Sequence, residues 1–364
     1  MGAYIVKRIA LIIPTLLGIM LINFVIIQSA PGGPVDQAIA KLQGTDSSAT
    51  ASIGGSEGGL GNAIAMDSAS GGFDSARGLD PSYIKELEKQ FGFDKPAHER
   101  FLIMIWDYLH FDFGDSFYQD RAVVDLVIER MPVSISLGLW TLLLVYMISI
   151  PLGIAKAVRD GTPFDIWTSA IVFTAYAIPA FIIAVLLIVF FSSGEFLRLF
   201  PLRGLVSDNF AELSLMGKIL DYIWHMTLPI VAMVLGGFAT LTLLTKNSFL
   251  EEINKQFVLT ARAKGMTQRR VLYGHVFRNA MLIVIAGFPS AFVGILFTGA
   301  LLIEVVFSLS GLGLLGYEAA LTRDYPIVFG TLYVFTLMGL ILHLIGDLMY
   351  VLVDPRIDFE TRET

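Results

Sequence analysis

The chain has 364 residues, 55% of them hydrophobic and only 16% charged, with a net charge of −7 and no cysteine. A soluble domain carries about 25% charged residues, so this composition points to a bilayer as the solvent for most of the chain. The acidic balance argues against nucleic acid as a partner, and the lack of cysteine excludes disulfides, thiolate metal sites and cysteine nucleophiles.

Taken in chain order, the first element is the apolar run Ile9–Ile27, preceded by Lys7 and Arg8. The apolar part of a signal peptide is about 7–15 residues long and ends in an Ala-x-Ala-like site. This run is longer and no such site follows, so residues 1–29 are read as an uncleaved first transmembrane helix. Residues 30–132 then form one long loop. Its part 44–78 is rich in Gly, Ser and Ala and reads as a flexible excursion. Its part 79–120 reads as a small helical cap. Asp80-Pro81 marks a helix start, Ile84, Leu87 and Phe91 and then Phe101, Ile105 and Tyr108 have helical spacing, and Phe111–Ser116 reads as a turn.

Five further apolar runs reach spanning length, near Val133–Ala155, Ile166–Phe191, Thr227–Thr245, Leu282–Ile303 and Val328–Val353. Residues 133–353 are thus expected to form the transmembrane core, and 354–364 a tail. Six spans put both termini on one side. Lys156 and Arg159 after the second span, and Lys246, Lys255, Arg262, Lys264, Arg269, Arg270 and Arg278 within 246–281, join Lys7 and Arg8 in placing the termini in the cytoplasm. The loop 30–132 is then outside. The expected fold class is an all-α polytopic membrane protein with six transmembrane helices.

Between the fourth and fifth spans, Ser248–Lys264 reads as an amphipathic helix with Phe249, Ile253, Phe257 and Val258 on one face, continued by Ala261. Gly265 stops it, and Thr267 is placed to cap a second helix that runs into the fifth span. The two helices form a knob below the bilayer, with Ala261 and Ala263 at a tip that another protein can approach closely. On physical grounds the same segment also fits a membrane-surface helix with snorkelling basic residues.

Leu259-Thr260-Ala261-Arg262-Ala263-Lys264-Gly265, followed by Arg270-Val271-Leu272 and His275-Val276-Phe277-Arg278-Asn279-Ala280, resembles the cytoplasmic coupling loop of peptide permeases, which are type I importers of the ABC class. The general Glu-Ala-Ala of that loop is here Leu259-Thr260-Ala261, without the Glu. Further resemblances are Pro14-Thr15, Gly114-Asp115-Ser116, Ile178-Pro179-Ala180-Phe181, Glu304-Val305-Val306-Phe307-Ser308, Gly311-Leu312-Gly313, Arg323-Asp324-Tyr325-Pro326 and Asp354-Pro355-Arg356. Ala30–Gln37 and Asp354–Glu360 most resemble the B-type subunits of Yej importers, which carry microcin C-like and other antimicrobial peptides inward.

The resemblance implies a non-catalytic permease subunit in a bacterial inner membrane. Its implied partners are a second homologous permease subunit, two ATP-binding domains on one fused or two separate chains, a periplasmic peptide-binding protein, the peptide and membrane lipid. ATP and Mg would be bound by the ATPase partners, with no cofactor in this chain. Leu259–Gly265 would dock into a groove on the ATPase and transmit its motion.

Two patterns invite other readings. Gly311-Leu312-Gly313-Leu314-Leu315-Gly316 matches G-x-G-x-x-G, yet it lies between apolar runs and not after a strand, so it reads as a glycine-permitted bend against a neighbouring helix. The phosphate-loop pattern is missing; Gly217-Lys218-Ile219 lacks the required hydroxyl. His343 and Asp347 lie one helical turn apart in the last span, as a candidate intramembrane contact. An intramembrane ionisable pair is also what a secondary transporter or a membrane enzyme would use, and that rival reading stands beside the permease one.

Overall fold

The computed structural model describes residues 2–29, 95–194, 196–294 and 300–353. The expectations for the Gly/Ser-rich stretch 44–78, for the helix start at 80–81 and for the tail 354–364 lie outside the described residues. Among those described, every element is helical, and the one β-bridge is the isolated pair Asp115 and Ala122.

Helix α1 is Gly2–Ser29, α2 is Ala97–Leu109, α3 is Val123–Val158, α4 is Pro163–Ala177 and α5 is Ala180–Phe191. After a short 3-10 turn, α6 is Leu215–Ile253, α7 is Gln256–Ala263 and α8 is Gln268–Val271. A π-helical turn, Leu272–Val276, leads into α9, Phe277–Ala286. Helices α10 (Phe288–Gly294), α11 (Ala300–Val306), α12 (Leu312–Thr322) and α13 (Tyr325–Val353) complete the order.

Among the described residues, four helices are long and apolar enough to cross a membrane: within α1, α3, α6 and α13. The expected third span, Ile166–Phe191, is not straight. It is the pair α4 and α5, bent by 91°, and it makes a fifth crossing if read as one span. The cause is local. Pro179 has no N–H to continue the helix, and it forces Ile178 into extended backbone, φ −93° and ψ 120°. The expected fifth span, Leu282–Ile303, is divided among α9, α10 and α11, with 295–299 outside the described residues.

The chain divides into two compact units. The first holds residues 1–14, 126–318 and 331–364. Helix α6 is its centre, with α4, α5 and α9 packed along it. Ser214 caps α6 by accepting the Gly217 N–H at 3.2 Å. Close approach of helices in a bilayer rests on small residues and interhelical hydrogen bonds, and both occur here. A Cβ on Gly153 of α3 would lie 2.6 Å from Thr245 Cβ of α6, and Ser149 Oγ donates to the Phe238 carbonyl at 2.9 Å.

The second unit holds residues 15–125 and 319–330. Here the described part of the expected cap is ordered by aromatic packing. Tyr108 and Phe113 meet edge to face at 4.9 Å, and Phe24 lies 5.3 Å from Phe101. Buried Asp324 accepts Ser116 Oγ at 2.5 Å and the Phe117 N–H at 3.2 Å, which ties the Gly114-Asp115-Ser116 turn to the start of α13.

Candidate functional site

Helix α6 ends at Ile253, and Asn254 Nδ2 closes its last turn on the Leu250 carbonyl at 2.9 Å. Lys255 follows in extended backbone and pairs with Glu252 and, at 3.5 Å, with Glu251. The neighbouring Glu252 carboxylate holds the Lys255 ammonium above its ordinary pKa. Only then does α7 begin. The expected single helix Ser248–Lys264 is therefore two, broken at Asn254-Lys255. Phe249 and Ile253 belong to the end of α6, where Phe249 is fully buried and its ring faces Phe277 at 5.9 Å.

Helix α7 ends as the glycine requires. Gly265 has φ +81°, its N–H donates to the Arg262 carbonyl at 2.9 Å, and the Met266 N–H donates to the Ala261 carbonyl at 3.3 Å. That pair of bonds is the Schellman ending, with Gly265 as the left-handed residue. Thr267 stands at the start of α8 in extended backbone, but its side chain makes no capping bond.

Of the seven residues singled out by the sequence, Ala261 alone faces inward; with the preceding Val258 it is buried in the core of the first unit. The expectation that Ala261 stands at the tip is therefore corrected: one helical turn from Val258 returns it to the inner face. The outer face consists of Leu259, at 61% exposure, with Thr260, Arg262, Ala263, Lys264 and Gly265. An apolar side chain ringed by cations, on a turn of small residues, suits contact with a partner that is acidic around an apolar pocket.

A second feature is a cleft of about 560 Å³ beside the bend between α4 and α5. Its walls include Tyr146, Tyr176, Pro179, Gly236, Gly237 and Thr240. A Cβ on Gly236 would lie 3.2 Å from Ala180 Cβ, so the glycine lets α6 run against the first turn of α5.

The third feature explains the glycine-rich decoy. Glu304, fully buried on α11, accepts Ser134 Oγ at 2.8 Å and the Leu314 N–H at 2.7 Å. Ser134 Oγ in turn accepts the Leu312 N–H at 2.8 Å. The carboxylate satisfies the first turn of α12, a favourable place for negative charge. A Cβ on Gly311 would collide with this carboxylate, and one on Gly313 would come within 3.0 Å of it. The motif is a close-packed turn, and the phosphate of a dinucleotide has no place in it. Sequence reasoning named Glu304 only as part of a resemblance.

His343 and Asp347 are drawn to different neighbours. His343 Nδ1 is 2.9 Å from the Gly339 carbonyl, while Asp347 pairs with Arg8 of α1 at 2.8 Å.

A profile of the family described as binding-protein-dependent transport system inner membrane component matches residues 149–359. The chain belongs to that family. The matched region contains α4 to α13, and with them the α7 turn, most of the cleft lining and Glu304. Similarity to individual members of this transport family extends over the whole chain. The "Peptidoglycan transport system permease protein YejB" of Agrobacterium fabrum is 59% identical, covering 100% of both chains. The "Inner membrane ABC transporter permease protein YejB" of Escherichia coli O157:H7 is 57% identical, again over 100% of both. The "Dipeptide transport system permease protein DppB" of Escherichia coli strain K12 is 30% identical, over 97% of this chain and 98% of its own. As an inner membrane component of a binding-protein-dependent system, this subunit works with a binding protein and an energy-supplying partner, and it is the membrane part and not the catalytic part of the assembly.

Proposed function

We propose that the chain is a permease subunit of an ABC importer that carries peptide-bearing solutes across a bacterial inner membrane, and that residues Leu259–Gly265 couple it to the ATPase. It pairs with a second homologous permease subunit, receives its solute from a periplasmic binding protein, and has both termini in the cytoplasm. ATP and Mg are handled by the ATPase chains. Alternating access is the mechanism: closure of the ATPase pair moves the α7 turn, and the spans reopen on the other face.

The observation that carries the coupling role is the division of α7 into a buried face, Val258 and Ala261, and an exposed one, Leu259, Arg262 and Lys264 around a left-handed Gly265. A membrane-surface helix would point its apolar face at lipid. Here that face is spent on the protein's own core, and the outward face is basic. Asp347 pairs with Arg8 across α1 and α13 while His343 turns to the Gly339 carbonyl, so the two do not form the pair that the rival secondary-transporter reading would use.

The relatives' names divide over the solute: peptidoglycan for the 59% relative and dipeptide for the 30% one. A peptide backbone is common to peptidoglycan fragments and dipeptides, and it is the class supported for this chain. The test is ATP-driven uptake by the complete complex in proteoliposomes, with a peptidoglycan-derived tripeptide and trialanine as paired probes. Uptake of at least one above the ATP-free control is expected. Uptake of neither, in a complex that hydrolyses ATP, would refute the solute class.

A further inference from the structure

Four ionisable side chains meet where the end of α3, the start of α4 and the last third of α6 come together. Lys156, near the end of α3, is fully buried. Its three protons are used on the Asp165 carbonyl at 2.9 Å, Thr168 Oγ1 at 2.9 Å and Ser169 Oγ at 2.7 Å. Its ammonium also lies 2.9 Å from Asp165 Oδ1, as a charge contact and not an aligned hydrogen bond. The other carboxylate oxygen, Oδ2, takes Lys246 of α6 at 2.7 Å and the Gly161 N–H at 3.3 Å. Lys246 is shared with Asp160 Oδ1 at 2.8 Å. Two cations and two carboxylates balance, and the α3–α4 turn is held from both sides.

We propose that Lys156, Asp160, Asp165 and Lys246 form a clamp that makes the ends of α3, α4 and α6 one rigid lever, delivering movement of the α7 turn to the bent pair α4–α5. The argument starts from energetics. A buried ion pair seldom repays its desolvation against well-packed apolar residues of the same size, so stability alone would be met by Leu or Met here. What a closely paired ionic network adds is a single geometry, here with Asp165 Oδ2 hydrogen-bonded and Oδ1 held by charge contact alone. The clamp also stands where a lever needs it. From Lys246, α6 runs unbroken for about 10 Å to Ile253 at the edge of the α7 turn. From Asp165, α4 runs unbroken for about 18 Å to Ala177 at the bend. Between α3 and α6, Gly153 and Thr245 are in closest packing one turn away, so that joint cannot slide. Lys156, Asp165 and Lys246 are therefore positioning residues. Their lever role rests on the coupling proposed above for Leu259–Gly265, whereas the rigidity of the clamp does not.

The chain has no cysteine, so two introduced ones are its only labelling sites. Ile171→Cys on α4 and Glu251→Cys on α6 are both at exposed positions, and carry spin labels for pulsed distance measurement. The measurement uses the complete complex, with cysteine-free partner subunits, in detergent and with ATP and vanadate. In the wild-type background the label distance is expected to be narrow and unchanged by nucleotide. Lys246→Met is expected to broaden it and make it respond to nucleotide, and Lys246→Arg is expected to restore the narrow distribution. Asp165→Asn is expected to act like Lys246→Met; should it fail to assemble, Lys246→Met, at the clamp's partly exposed edge, still decides. A narrow, nucleotide-independent distance in Lys246→Met would overturn the clamp, as would a nucleotide-dependent distance in the wild-type background. Absence of any bound ATPase in the wild-type preparation would instead overturn the coupling reading, while the label distances still report on rigidity.

Discussion

Gly265 separates the cost of a turn from the cost of a blocked contact. At φ +81° an L-residue is strained by about 1–2 kcal/mol, a factor of about 5–30 in the population of the turn. A Cβ built on Gly265 meets nothing within 4 Å in the chain, so no internal clash adds to that strain. Three substitutions then rank themselves. Gly265→Asn, whose side chain tolerates the left-handed region, is expected to stay near wild type. Gly265→Ala is expected to weaken ATPase association by the strain alone. Gly265→Arg adds bulk to the exposed face beside Leu259 and is expected to abolish association, with membrane insertion unchanged. The assay is co-purification of the ATPase with the solubilised permease, and hydrolysis in the reconstituted complex. ATPase recovery and hydrolysis at wild-type level in Gly265→Arg would refute the docking role of this turn. Equal loss in Ala and Arg would refute the division between strain and bulk.

Three further outcomes follow from contacts elsewhere. Glu304→Leu orphans the Leu314 N–H and the Ser134 hydroxyl, each at about 1–3 kcal/mol; thermal unfolding in detergent should start well below that of wild type, and Glu304→Gln should fall between. Asp324→Ala removes the acceptor for Ser116 and Phe117, and the expected result is faster trypsin cleavage at Arg121 with ATPase association intact. Asp347→Asn weakens the pair with Arg8 but leaves an amide that still accepts a hydrogen bond, so ATP-driven uptake should stay close to wild type, and complete loss would revive the secondary-transporter reading.

What the sequence makes legible is what depends on local pattern. The long apolar runs mark α1, α3, α6 and α13 because a bilayer demands length and hydrophobicity together. The glycine after Lys264 marks the end of α7, since few other residues accept that backbone. The break at Asn254-Lys255 is hidden because the apolar positions on either side, Ile253 and Phe257, still keep helical spacing across it. Ile178-Pro179 is visible as a family phrase, but the size of the bend depends on how α5 packs on α6 at Gly236 and Ala180. Lys156 and Lys246 read as loop charges that orient the chain, yet both lie within helices and are spent on Asp165. No spacing rule links residues 156, 165 and 246, since their meeting is a product of the tertiary fold. Glu304 and Ser134 are likewise 170 residues apart.

The 91° bend has a consequence for solvent. A helix that stops in mid-membrane leaves the carbonyls of its last turn and the N–H groups of the next one without intrahelical partners. Hydrocarbon offers them nothing, and non-helical backbone persists at that depth only where protein buries it or water reaches it. The cleft lined by Ile178 and Pro179 lies beside that bend, so the bend has open space and not only packed side chains next to it.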